Sequence, residues 1–70
     1  MANHIEELLS GQAANFEKKA LDYELSGEYL NATVEYRIAA VEYADSGNKE
    51  KAEEMMRKSD EMDIKNKNNL

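Results

Sequence analysis

Residues 26–47 read SGEYLNATVEYRIAAVEYADSG, a helix-length segment held between two Ser-Gly pairs. Within it Tyr29, Ala32, Tyr36, Ala39 and Tyr43 recur at intervals of three, four, three and four, the spacing that gathers side chains on one face of an α-helix. A second stripe, Leu30, Val34, Ile38 and Val41, falls nearly opposite, and only Asn31, Glu35 and Glu42 share a polar sector. A helix that is apolar most of the way round is expected to be covered on two sides, so this segment is read as the central element. Glycine just past a helix suits the left-handed conformation that commonly ends one. The chain is therefore expected to reverse at Ser26-Gly27 and again at Asp45-Ser46-Gly47-Asn48, where Asn48 can cap the helix that follows.

Upstream, Ile5, Leu9, Ala13, Phe16, Ala20 and Tyr23 lie on one helical face. Asn3 is a suitable N-cap, and Glu6 and Glu7 favour the positive end of the helix dipole. Ser10-Gly11 interrupts the stripe, which leaves open either one helix or a short separate helix before it. Downstream, Ala52, Met55, Met56, Ser59 and Met62 form a narrow stripe, while Glu53/Arg57, Glu54/Lys58, Glu61/Lys65 and Asp63/Lys67 are i,i+4 pairs of favourable orientation. The expectation is an all-α antiparallel three-helix bundle with helices at about 3–25, 28–45 and 49–66. Residues 1–64 would form one domain, and the polar residues 65–70 a disordered tail.

Composition agrees. The 70 residues have room for one core, and no cysteine is available for a disulfide or a thiolate metal site. There is no proline, and the good helix formers Ala, Glu, Lys, Leu and Met are plentiful. A formal charge of −6 argues against direct nucleic-acid binding, which rests on Lys and Arg neutralising phosphates. The longest apolar run is Ile38-Ala39-Ala40-Val41, far short of a membrane span, and no basic segment leads into an apolar one at the N-terminus. A soluble, cytoplasmic protein without membrane insertion is expected.

From Phe16 to Ala39 the residues Phe16, Ala20, Tyr23, Gly27-Glu28-Tyr29, Ala32, Tyr36 and Ala39 resemble a tetratricopeptide helical hairpin. Small Ala20, Ala32 and Ala39 let two helices approach while the tyrosines fill the gaps around them. A second glycine-led unit, Gly47 to Ala52 to Met56, follows after 20 residues rather than the ~34 of a tandem array, which excludes such an array. One hairpin plus one helix resembles the microtubule-interacting-and-trafficking (MIT) domain, a three-helix relative that binds peptide tails of membrane-remodelling proteins. That resemblance implies a groove beside helix three in which Met55 and Met62 supply apolar contacts and Glu54 or Glu61 meets basic residues. The second turn is shorter than that family's, and no Tyr-x-x-Arg follows on helix three.

No constellation for catalysis stands out, and no enzyme activity, cofactor or metal is expected. His4 is the only histidine and reads as a solvated terminal residue. The neighbouring carboxylates Glu6/Glu7 and Glu53/Glu54 read as solvated helix faces, because paired catalytic acids need a water-excluding pocket. Asp60 and Asp63 do not follow a calcium-loop pattern, and no glycine-rich phosphate loop is present. The tyrosines read as core. Met55, Met56 and Met62 suit either core or an adaptable binding surface.

The function expected from these features is a non-enzymatic binding module, an adaptor or regulator that engages a peptide or helix of another protein through an apolar groove. Its candidate partner-binding residues are Leu30, Val34, Ile38, Val41, Glu54, Met55, Glu61 and Met62. Two alternatives stay open. One is an acidic, phage-type inhibitor that mimics nucleic acid and blocks a cationic enzyme site. The other is a homodimer that pairs the second stripe of helix two with itself.

Overall fold

The computed structural model describes residues 4–69, with side chains from Gly11 onward, and comprises three α-helices and no strand among those residues: α1 (His4–Leu25), α2 (Tyr29–Asp45) and α3 (Lys49–Asn68). The Asn3 cap and the side chains of His4, Ile5, Glu6, Glu7 and Leu9 lie outside the described residues.

Both reversals are built the same way. Gly27 and Gly47 adopt φ of 78° and 83°, left-handed values that a side chain resists. At the first turn Glu28 N–H donates to Tyr23 O and Gly27 N–H to Glu24 O; at the second, Asn48 donates to Tyr43 O and Gly47 to Ala44 O. This is the Schellman pairing, which satisfies carbonyls left over at a helix end. Asn48 then caps α3, its side chain accepting from Lys51 N–H at 3.2 Å.

Of the helix boundaries, the one at Ser10-Gly11 is open in the sequence and the one at the C-terminus differs from the expectation. α1 runs through Ser10-Gly11 without a break, since one glycine costs only about 1 kcal/mol against the packing of the rest of the helix. α3 continues through Lys65 to Asn68, where the sequence predicts a disordered tail. Lys65 and Lys67 oppose the negative end of the helix dipole, and Lys67 pairs with Asp63 at 3.1 Å, so the last turn has local support.

The core gathers Ala13 and Ala20 from α1, Ala32, Tyr36, Ala39, Ala40 and Tyr43 from α2, and Met55 and Met62 from α3, with Phe16, Tyr23, Tyr29 and Ala52 packed at its edge. α2 packs closely against both neighbours, and the α1 and α3 backbones stay further apart. At 100° per residue Ala32 and Ala39 lie on one side of Tyr36, and Thr33 and Ala40 on the other. The buried Ser59 hydroxyl donates to Thr33 O at 3.0 Å, which puts α3 on the second side. α2 is thus flanked by two helices, but both lie on its tyrosine-bearing half. Its back stripe is not covered: Leu30, Val34 and Val41 are exposed and Ile38 is half-buried.

α2 also repeats part of α1. Ala13, Phe16, Ala20 and Tyr23 of α1 recur twenty residues later as Thr33, Tyr36, Ala40 and Tyr43 of α2. The unit of repetition is one helix and its Ser-Gly turn rather than a helix pair.

Candidate interaction surface

Three helices meet around two carboxylates. Glu17 accepts a hydrogen bond from the Tyr43 hydroxyl at 2.6 Å and another from Lys51 Nζ at 3.0 Å. One heptad along, Glu24 accepts from the Tyr36 hydroxyl at 2.6 Å and from Lys58 Nζ at 3.2 Å. The ammonium groups of Lys51 and Lys58 also lie 5.4 and 5.5 Å from the ring centroids of Tyr43 and Tyr36, within cation–π range. Each rung therefore takes an acid from α1, a tyrosine from α2 and a lysine from α3.

The rungs shift the titration of their members. Burial pushes the Glu17 and Glu24 carboxyls up, but the tyrosine and lysine hydrogen bonds and the lysine charges outweigh it, and both lie below the usual glutamate value. Burial, then the bond to Glu17, pushes Tyr43 up to about 12, and the same causes with Glu24 raise Tyr36. The hydrogen bond to Glu17 raises Lys51 despite partial burial.

Sequence spacing assigns Lys58 to Glu54 and gives Lys51 no partner. Of the four expected i,i+4 pairs, Asp63/Lys67 forms among the described residues. Lys51 and Lys58 instead reach across to α1, with Glu54 and Glu61 at 3.4 and 3.9 Å as secondary i,i+3 partners. The signal that could have found the rungs is the common heptad interval between Glu17 and Glu24, Tyr36 and Tyr43, and Lys51 and Lys58.

Met55 and Met62 are 2% and 0% exposed. This corrects the expectation that they line a groove: the α3 stripe is narrow, and these two side chains fill the space between the small alanines of α2. Glu54 and Glu61 stand beside the rungs, away from the exposed apolar residues of α2.

The open apolar surface lies on the other side of α3. Between α2 and α3 runs a groove of about 790 Å³ lined by Ala40, Ala44 and Ala52, with Val41 and Met56 as its larger apolar residues. Lys49, Glu53, Arg57 and Asp60 of α3 add charged residues to its lining. Val41 and Met56 are 53% and 41% exposed. Of the candidate partner-binding residues only Val41 lines this groove, and Leu30, Val34 and Ile38 continue along the back of α2. The sequence pattern does not single out Met56 as a partner residue, because it shares a stripe with Met55. Among the described residues, no helix is long and apolar enough to cross a membrane and no group of three or more His, Cys, Asp or Glu could hold a metal ion.

Compared with known protein families, characterised proteins and solved structures, the chain matches none. What the structure supports is an all-helical three-helix bundle.

Proposed function

We propose that this protein is a non-enzymatic binding module whose α2–α3 groove accepts an amphipathic helix of a partner protein. The observation that carries the reading is the internal repeat. α3 rests on α1 at Glu17 and Glu24 and on α2 at Thr33 and the two tyrosines. Twenty residues on, the corresponding positions are Arg37 and Ala44 on α2 and Glu53, Met56 and Asp63 on α3. Ala44, Glu53 and Met56 line the groove. The groove thus occupies, one helix further along, part of the position that corresponds to the seat of α3, with different residues in it, and a helix is the shape that fits it. Its alanines permit close approach of a helix backbone, and Val41 and Met56 supply the apolar contacts. This agrees with the kind of ligand that the resemblance to MIT domains implies, although on residues other than Met55 and Met62.

The experiment is capture of partners on the tagged protein from its own cell lysate at low and high salt, beside Val41→Asp/Met56→Asp. A partner retained at high salt and lost with the double substitution supports the groove, because apolar contacts are nearly indifferent to ionic strength. A partner lost to salt alone and indifferent to the substitution supports the acidic inhibitor instead. Self-association in sedimentation that Val41→Asp abolishes assigns the surface to a homodimer.

A further inference from the structure

The polar ladder has a third rung without its acid. Tyr29 and Lys65 continue the heptad series of Tyr36/Lys58 and Tyr43/Lys51, and Lys65 Nζ lies 5.7 Å from the Tyr29 ring centroid. In the other two rungs Glu17 faces Tyr43 and Glu24 faces Tyr36. One heptad beyond Glu24 there is no α1, because the helix ends at Leu25 and the Gly27 turn carries the chain away. The nearest local acid, Glu28, is held by Ser26 Oγ at 3.1 Å and Asn31 Nδ2 at 3.5 Å.

The Lys65 charge acts on Glu24, but that carboxylate is already held by Tyr36 and Lys58. Glu54 and Glu61 stand three residues after Lys51 and Lys58, and the equivalent residue after Lys65 is Asn68. Among the described residues Lys65 makes no ion pair, and the Tyr29 hydroxyl makes no hydrogen bond. Tyr29 is half-buried and Lys65 exposed, so both side chains are within reach of solvent.

We propose that Tyr29 and Lys65 form an open rung that accepts a carboxylate carried on a partner polypeptide, either a side chain or a chain terminus. The carboxylate takes the place that Glu17 and Glu24 hold in the closed rungs, accepting from the phenol on one oxygen and from the ammonium on the other. Glu24, on which the Lys65 charge already acts, opposes a second negative charge, which makes the contact weak in isolation and selective for a group with the right reach. The site lies at the far end of α2 from the α2–α3 groove and stands or falls apart from it.

The test is NMR titration of the whole protein at low ionic strength with three peptide probes: acetyl-Ala-Glu-Ala-amide, acetyl-Ala-Gln-Ala-amide and acetyl-Ala-Ala with a free C-terminus. Saturable shifts of the Tyr29 ring and the Lys65 side chain are expected with one or both carboxylate probes. The probe that binds identifies the source, and the glutamine peptide should leave the signals unmoved. Lys65→Gln and Tyr29→Phe should each remove the response, and Asn68→Glu should weaken it severalfold by giving Lys65 the acid that its counterparts have. Equal shifts with the glutamine peptide, a response that survives Lys65→Gln, or no saturable shift with any probe would overturn the proposal.

Discussion

Tyr43 donates its phenolic hydrogen to Glu17 at 2.6 Å, and the same carboxylate receives Lys51 from the third helix. The bond joins residues that are 26 apart in sequence. Because Tyr36 and Glu24 repeat it one heptad along, the pair of bonds fixes the register of α1 against α2 in a way that a stripe of alanines cannot. Alanine faces tolerate sliding, whereas two carboxylates with directed partners do not.

Acid should loosen this arrangement. A carboxyl whose folded pKa lies below its unfolded value contributes stability that is present above the unfolded value and lost as pH falls through the folded one. For Glu17 and Glu24 that window opens below about pH 4.5. Tyr43→Phe removes the shorter of the two bonds to Glu17 and is expected to destabilise the fold by about 1–2 kcal/mol at pH 7. The difference from the parent should shrink once the carboxyls are protonated. Urea melts followed by circular dichroism at pH 7 and pH 3 measure both quantities, and an equal difference at the two pH values would contradict the assignment.

At alkaline pH the sign reverses. Tyr36 and Tyr43 have folded pKa values raised above the ordinary 10.0, so the stability that they confer is complete below that value and lost as pH rises toward about 12. Absorbance at 295 nm should show a late phase of tyrosinate formation that coincides with loss of helix. The Tyr36→Phe/Tyr43→Phe variant should lack that phase.

The glycines should divide into two kinds. Gly11 lies inside α1, where an added Cβ would meet nothing within 4 Å, so Gly11→Ala is expected to stabilise by about 0.5–1 kcal/mol, or a few degrees in Tm. Gly27 and Gly47 also have open space around them, but their positive φ makes a side chain strained. Gly27→Ala and Gly47→Ala should each cost about 1 kcal/mol. Thermal melts of the three variants separate space from backbone conformation as the reason for each glycine.

The three helices and both turns were legible because each rests on a local pattern: the Tyr29-to-Tyr43 stripe, the two Ser-Gly pairs and the Asn48 cap. The face that α2 turns to its neighbours was only half legible. Periodicity shows that Leu30, Val34, Ile38 and Val41 are apolar together, but it cannot show that α1 and α3 both choose the tyrosine side. The rungs are hidden in the sequence because local i,i+4 spacing offers Lys58 the nearer Glu54, and only the third dimension presents Glu24 as the better partner. Met55 and Met62 differ from Met56 by rotations of about 100° and about 120°, too small for sequence to divide core from surface.

Glu35 and Glu42 make a further contrast with α3. Each has one carboxylate oxygen shielded from solvent with no hydrogen-bond partner, and twenty residues on, the equivalent positions are the core residues Met55 and Met62. An unsatisfied shielded oxygen is a standing cost. Glu35→Met and Glu42→Met are each expected to stabilise by about 1 kcal/mol, read as a rise in denaturation midpoint without a change of slope. A loss of stability would mean that the carboxylates find partners that outweigh the apolar gain.

The two faces of α2 should respond differently to an added charge. Ala39 is 0% exposed and Val41, two residues away, is 53% exposed. Ala39→Glu places a charge among the close-packed helices, where no partner waits for it, at a cost of about 3 kcal/mol or more. In a bundle this small that should abolish cooperative melting. Val41→Glu changes a side chain already half in water and is expected to alter stability by less than about 0.5 kcal/mol. Circular dichroism melts of the two variants give the answer directly. If both collapse, α2 is buried on its back face by self-association; if neither does, the alanine interface is not where the helices meet.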